Sequence, residues 1–182
     1  QGMFAFALLD QQRDVLHLVR DRVGIKPLCY SLTSSGLAFA SEIDPLVSCA
    51  GIPRDLDPVA LAAYLRYQYV PAPLSIYRGI RKLPPGHRLE LDLRTLNHRI
   101  VRWWSLEPAV ADGDEAELLG ALDRRLDDLV RIYLRCDVPF GCFLSGGVDS
   151  TLVAGRAQRV LSAPLRTFSI GCEDAPASEL SF

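Results

Sequence analysis

Two hydroxyls, two glycines and one carboxylate fall within six residues, Ser145-Gly146-Gly147-Val148-Asp149-Ser150, directly after the apolar run that ends Cys142-Phe143-Leu144. Placed in a turn from a strand into a helix, such a segment suits an anion. The first N–H groups of a helix have no partner inside it, the helix dipole is positive at that end, and glycines let a ligand approach the backbone without meeting a Cβ. Phosphate is the natural guest, with Ser145 and Ser150 as short hydroxyl donors. Asp149 would oppose a bare phosphate. Its presence makes sense if a hard cation travels with the phosphates, because Mg²⁺ takes one or two carboxylates together with phosphate oxygens. The residues therefore suggest binding of Mg²⁺–pyrophosphate, with Asp149 as the metal ligand.

Three better-known loops share parts of the pattern. A Walker A loop needs Lys after its last Gly, where Val148 stands. A dinucleotide fingerprint needs G-x-G-x-x-G, which Gly146-Gly147 does not supply. A hydrolase elbow needs Gly two positions before its Ser, and Phe143 occupies that place. A plainer reading stays open beside the phosphate one: the glycines only make a tight turn, and Asp149 or Ser150 caps the helix.

The elements that must position this turn are legible on both sides. Val138–Leu144 reads as a strand, 148–161 as a helix and 166–170 as a second strand. Strand–helix–strand of that length is a parallel unit, with its ligand expected beyond the carboxyl ends of the strands. Before it, Leu118, Leu119, Leu122, Leu126, Leu129, Val130 and Tyr133 recur at three- and four-residue steps and predict an amphipathic helix of about five turns.

Residues 1–105 read differently, mostly as strand. Met3–Leu9 and Val15–Arg20 form a hairpin across the polar segment Asp10–Asp14. Pro27–Tyr30 and Leu37–Ser41 form a second across a hydroxyl-rich turn ending at Gly36. His87–Leu93 and Arg99–Trp104 form a third, in which Leu89, Leu91 and Leu93 alternate with Arg88, Glu90 and Asp92 as on a half-buried sheet face. One helix lies between the second and third pairs. Asp57 suits its cap, Pro58 its first position, and Leu61, Tyr64 and Leu65 its apolar face, with an end before Pro71. Pro84-Pro85-Gly86 has the order of a type II turn. The segment 106–114, rich in Pro, Gly and acidic residues, reads as a linker.

Composition narrows the class. The chain has 182 residues, 49% hydrophobic and 23% charged, with a net charge of −2. Such proportions fit a folded globular protein rather than a disordered one. No basic stripe points to nucleic acid, and no apolar run approaches the roughly 20 residues of a membrane helix. Cys29, Cys49, Cys136, Cys142 and Cys172 are odd in number and lack metal-ligand spacing, so they read as reduced, buried thiols of a cytoplasmic protein. His17, His87 and His98 read as structural, and Arg20-Asp21-Arg22 as a solvated turn of paired charges. An opening at Gln1 without a start Met, and an abrupt close at Ser181-Phe182, are expected of an internal piece of a longer protein.

Ser145–Ser150 resembles the SGGxDS pyrophosphate loop of the ATP-pyrophosphatase superfamily. The run Asp137-Val138-Pro139-Phe140-Gly141-Cys142-Phe143-Leu144 before it is similar to the glutamine-hydrolysing (B-type) asparagine synthetases in particular. Four further stretches resemble the second half of that family's glutaminase domain: Gly2–Leu8, Arg20–Leu28, Phe39–Ile43 and Ile80–His87. The resemblance runs along essentially the whole chain.

It implies an α/β protein in two parts. Residues 1–105 would be the C-terminal part of a type 2 glutamine amidotransferase domain, an αββα sheet fold of N-terminal-nucleophile type. Residues 106–114 would be a linker. Residues 115–182 would open a parallel α/β ATP-pyrophosphatase domain of the adenine nucleotide alpha hydrolase-like kind. The implied activity is ATP-dependent amidation of aspartate with ammonia from glutamine, through β-aspartyl-AMP. Glutamine, aspartate and ATP would be the small-molecule partners, Mg²⁺ the metal, and a homodimer the assembly of the parent. On this reading the nucleophilic N-terminal Cys lies upstream of Gln1, so no catalytic residue is named here and the chain by itself is expected to be inactive. The ATP-site residues carried over are Leu144, Ser145, Gly146, Gly147, Asp149, Ser150 and Ile170; Leu144 and Ile170 rest on the resemblance alone. A relative acting on another carboxylate, or a scaffold without catalysis, is the alternative.

Overall fold

In a computed structural model, residues 2–34, 36–108 and 113–171 are described. They belong to two compact units, Gln1–Pro108 and Ala109–Phe182. Part of the expected linker and Cys172 lie outside the described residues.

In the first unit the strands are β1 (Ala5–Asp10), β2 (Val15–Arg20), β3 (Cys29–Thr33) and β4 (Gly36–Ala40). A short helix α1 (Ile43–Val47) and a longer α2 (Pro58–Tyr67) follow, then β5 (Arg81–Lys82), β6 (His87–Asp92) and β7 (His98–Arg102). Two antiparallel sheets result, ordered β1-β2-β6-β7 and β4-β3-β5. The first and third hairpins turn by the same device. Asp10 Oδ1 accepts from the Gln12 and Arg13 N–H groups at 3.0 and 3.1 Å, and Asp92 Oδ1 accepts from Arg94 and Thr95 at 2.8 and 2.9 Å.

Leu18, Leu89 and Leu91 of the first sheet pack with Leu28, Tyr30 and Leu83 into one buried cluster. Cys29, Leu46, Ile52 and Ile80 make a second, packed with residues of α1. The third hairpin keeps its alternation at Leu89 and Leu91, but Glu90 is buried as well. It is held by Arg88 Nε at 2.7 Å and by Arg99, with a His17 ring nitrogen 3.9 Å away.

Several expectations shift. The second hairpin's first strand runs on to Thr33, because Ser31 and Leu32 continue the ladder to Ala38 and Leu37. The third hairpin stops at Arg102, since the Trp103 and Trp104 N–H groups both turn to the Gly86 carbonyl. Helix α2 has the predicted cap: Asp57 accepts from Val59 and Ala60. Its expected apolar face is not the buried one, however. Ala60 is fully buried whereas Leu65 is 75% exposed, and Leu61 and Tyr64 are also exposed. The Asp57 N–H bond to the Ile76 carbonyl and the Leu56–Tyr77 bridge tether the helix start, and the small Ala60 is what meets the core. Helix α1 had no clear signal in a five-residue segment.

Arg20-Asp21-Arg22 is no solvated turn. Asp21 is 1% exposed. Its Oδ1 accepts from Ile25 N–H at 2.9 Å, and its Oδ2 from Lys26 at 2.9 Å and Phe4 at 3.3 Å. Arg20 spends its guanidinium on the carbonyls of Lys26, Leu83 and Gly24, and Arg22 lies 5.8 Å over the Trp104 ring. The loop closes at Gly24, whose φ of +72° and 2.8 Å gap to Pro85 Cγ leave no room for a Cβ.

Burial would raise the Asp21 carboxyl, but the backbone N–H groups around it outweigh burial and hold it below the usual range. Glu90 behaves alike, with Arg99 and Arg88 overcoming its burial. A depressed folded pKa means that the stabilisation is complete above the unfolded values, about 3.9 for Asp and 4.3 for Glu, and is lost as pH falls through the folded ones. The melting temperature of this unit is therefore expected to change little from pH 7 to about 5 and to fall below about 4. A melting curve unchanged down to pH 3 would contradict this.

The second unit contains α3 (Glu115–Tyr133), β8 (Gly141–Phe143), α4 (Val148–Val160) and β9 (Arg166–Phe168). The β8 and β9 strands are parallel, in register Gly141–Arg166, Cys142–Thr167 and Phe143–Phe168. A Cβ on Gly141 would lie 2.5 Å from Phe168 Cε2 and 2.9 Å from the Arg166 carbonyl, so a side chain there would force the strands apart. The first strand is three residues rather than Val138–Leu144; Pro139 has no N–H to give a ladder. Asp114 caps α3 through Glu117 N–H at 2.8 Å. Arg156 of α4, 7% exposed, joins Asp123 and Asp127 one turn apart on α3. Much of the leucine stripe of α3 is exposed, with Val130 its buried member. Among the described residues no helix is long and apolar enough to cross a membrane.

Candidate functional site

The carboxyl end of β8 leads directly into the Ser145–Ser150 turn. Gly146 takes φ +79°, in the left-handed region that favours glycine. Gly147 is the N-cap of α4, in extended conformation, and no side chain makes a cap hydrogen bond. The capping roles considered for Asp149 and Ser150 are thus not taken up. Ser150 Oγ instead donates to the Gly147 carbonyl at 3.0 Å, accepts the Ser145 N–H at 3.3 Å and lies 3.0 Å from Ser145 Oγ. The Gly147 N–H donates to Ser145 Oγ at 3.4 Å. Helical bonding begins with Thr151 N–H to the Gly147 carbonyl.

Ser145, Gly146, Gly147 and Ser150 are therefore brought into one hydrogen-bonded turn, and Asp149 stands exposed in the first turn of α4. Leu144 is tied to the second strand by its N–H to the Phe168 carbonyl at 2.9 Å. Ile170, two residues beyond β9, is 79% exposed. The turn offers a surface of hydroxyls, glycine backbone and one carboxylate at the positive end of a 13-residue helix. Among the described residues no group of three or more His, Cys, Asp or Glu could hold a metal. A lone carboxylate can serve a hard cation such as Mg²⁺ only where other oxygens, for example those of a phosphate, complete the ion's ligands.

Ser169 was not singled out in the sequence, yet its hydroxyl donates to the Leu144 carbonyl at 2.6 Å. Only strand pairing, which aligns the ends of β8 and β9, could have revealed it. The thiols differ from expectation too. Of the four described cysteines, all free, Cys29 is buried, Cys142 is half-buried, and Cys49 and Cys136 are exposed. Burial pushes the Cys29 thiol up despite Lys82 and Arg20 nearby, which makes it a poor nucleophile. The His87 ring is bonded to the Pro85 carbonyl at 2.7 Å.

Residues 1–104 match the sequence model of the family described as "Glutamine amidotransferase domain". The chain belongs to that glutamine amidotransferase family. Residues 121–182 of this amidotransferase chain match a second family, "Asparagine synthase". Over most of its length the chain is similar to proteins named as glutamine-hydrolyzing asparagine synthetases. "Asparagine synthetase [glutamine-hydrolyzing] 3" of Bacillus subtilis (strain 168) is 33% identical over 178 residues, 95% of this chain and 29% of the relative. The synthetase numbered 1 of the same organism is 32% identical over 181 residues, 99% of this chain and 28% of its own length. "Amidase chyE" of Penicillium rubens is 35% identical over 162 residues, 85% of this chain and 23% of the relative. The chain thus spans less than a third of the length of each of these curated relatives.

Proposed function

We propose that the protein is a glutamine-dependent amidating ligase that converts aspartate to asparagine. The first unit is part of the machinery that releases ammonia from glutamine. The second unit is the opening of an ATP-pyrophosphatase domain, with Ser145, Gly146, Gly147, Asp149 and Ser150 around the pyrophosphate portion of ATP. Leu144 and Ile170 lie beside the nucleotide. Residues 106–114 link the two parts. In the reaction a β-carboxylate oxygen of aspartate attacks the α-phosphorus of ATP and pyrophosphate leaves; ammonia then adds to the acyl carbon and AMP leaves. A carboxylate is a poor acyl donor until its oxygen belongs to a good leaving group, and the adenylate provides one.

The observation that carries this reading is the turn itself: a left-handed glycine and a paired Ser145–Ser150 hydroxyl set open a helix directly after a parallel strand. Anions favour such helix starts. Asp149 would hold Mg²⁺, which when bound neutralises the departing pyrophosphate. The glycines admit the phosphates, the first N–H groups of α4 orient them, and the two hydroxyls brace the turn. Glutamine opening is assigned to an N-terminal Cys, and none of this chain's cysteines is given that role.

The other reading is a ligase that amidates a different carboxylate; the similar Penicillium rubens protein carries a name other than asparagine synthetase. The test is pyrophosphate release from ATP by the natural full-length protein, with aspartate or other carboxylates as acceptor and glutamine or ammonium as nitrogen source. Release should require aspartate and yield asparagine from either nitrogen source. Stimulation by another carboxylate alone would move the assignment to the second reading. No acceptor-dependent release at all would overturn the ligase.

A further inference from the structure

Ser145 N–H and the Leu144 carbonyl belong to one planar trans peptide, so they point in opposite directions and the peptide has a single rotation to settle. Both ends are engaged. The carbonyl accepts from Ser169 Oγ at 2.6 Å, and the N–H donates to Ser150 Oγ at 3.3 Å. A proton count then orders the rest of the turn. Ser150 has one hydroxyl proton, which goes to the Gly147 carbonyl at 3.0 Å, because that carbonyl can only accept. The Ser145 hydroxyl must therefore be the donor to Ser150 Oγ at 3.0 Å, and it receives the Gly147 N–H at 3.4 Å. Both hydroxyl protons are thus spent inside the turn, which leaves the first N–H groups of α4 as its donors to an anion, and the Ser145 N–H ties the 144–145 peptide to this braced pair. Ser169, 25 residues further along the chain, is the group that holds its outer end.

We propose that Ser169 is a positioning residue of the nucleotide site. Through the Leu144 carbonyl it sets the rotation of the peptide that opens the turn, and through that peptide the Ser145–Ser150 hydroxyl pair that braces the glycine backbone and helix start meant for pyrophosphate. It touches no phosphate itself. This inference rests on the assignment of the Ser145–Ser150 turn to pyrophosphate.

The physical basis is preorganisation. A helix start whose backbone N–H groups are already held in place loses less freedom when an anion arrives, whereas a peptide free to rotate must be ordered at the moment of binding. The β8 ladder alone does not do this: its last bond, Leu144 N–H to the Phe168 carbonyl, fixes the preceding peptide and leaves the 144–145 unit to Ser169.

The test uses the natural full-length protein with Mg²⁺ and inorganic pyrophosphate as the probe, measured by calorimetry, together with the KM for ATP. Ser169→Ala should weaken pyrophosphate binding and raise the KM for ATP by roughly ten-fold, the scale of losing a group that orients a ligating one. Ser169→Cys keeps the size but donates weakly, and should behave like Ala. Ser169→Thr, which restores the hydroxyl on an extended backbone, should recover most of the affinity. A purely structural role would lower the melting temperature and leave the affinity of the folded protein unchanged. Wild-type affinity in both Ser169→Ala and Ser169→Cys, while Asp149→Asn loses it, would overturn the positioning role and leave the site standing. Absence of Mg²⁺-dependent pyrophosphate binding in the wild type would overturn the site and the role together.

Discussion

Asp149→Asn is expected to lower aspartate-dependent pyrophosphate release by roughly 10²–10³-fold, the cost of removing one charge-stabilising group from a reacting centre. The loss should be as large with ammonium as with glutamine, because it lies on the ATP side. Glutamine hydrolysis measured alone should survive. Stability separates this from a helix-terminal role. An acid in the first turn of an exposed helix contributes only about 0.3–1 kcal/mol through the dipole, so the variant should melt close to the wild type. The Mg²⁺ concentration for half-maximal rate should rise. Equal rates for variant and wild type would refute the metal role of Asp149.

Asp21→Asn should have its largest effect on folding. The carboxylate accepts three backbone N–H groups while 1% exposed, and an amide of the same size has one oxygen to offer and turns an NH₂ toward donors. Leaving buried donors without acceptors is expected to cost about 3 kcal/mol. Amide exchange should rise first at Ile25 and Lys26, in the 20–26 loop that Arg20 also braces. Chemical denaturation and hydrogen exchange read the two effects. A variant as stable as the wild type, with those amides still protected, would show that the cage is not needed.

Asp21 also shows where sequence reading ends. Arg-Asp-Arg between polar neighbours looks like a solvated turn, and only the return of Phe4, Ile25 and Lys26 around one carboxylate makes it a buried hub. Glu90 is a second instance: period-two alternation places it on the open face, and Arg88 and Arg99 close over it. The apolar stripe of α2 misled for the opposite reason. A period of 3.6 marks a face, but the tethers at Asp57 and Leu56 decide how the helix is rotated, and they leave Leu65 in solvent.

Local chemistry travels well from sequence to structure. The three hairpins, the Asp57 cap and the strand–turn–helix around Gly146-Gly147 each depend on a few adjacent residues whose backbone preferences agree. For the same reason the family was legible: its motifs are short, and they occur here in order along the chain. What the tertiary structure alone decided are the contacts between residues far apart in sequence. These are the cage at Asp21, the clamp of Arg156 on Asp123 and Asp127, and the Ser169 hydroxyl on the Leu144 carbonyl. Single polar residues carry no periodicity, and a hydrogen bond formed across 25 or 33 positions leaves no mark on the residues between. The residue types of the turn are written in Ser145–Ser150, whereas the peptide that opens it is held by Ser169, just beyond β9, which the turn's own sequence does not mention.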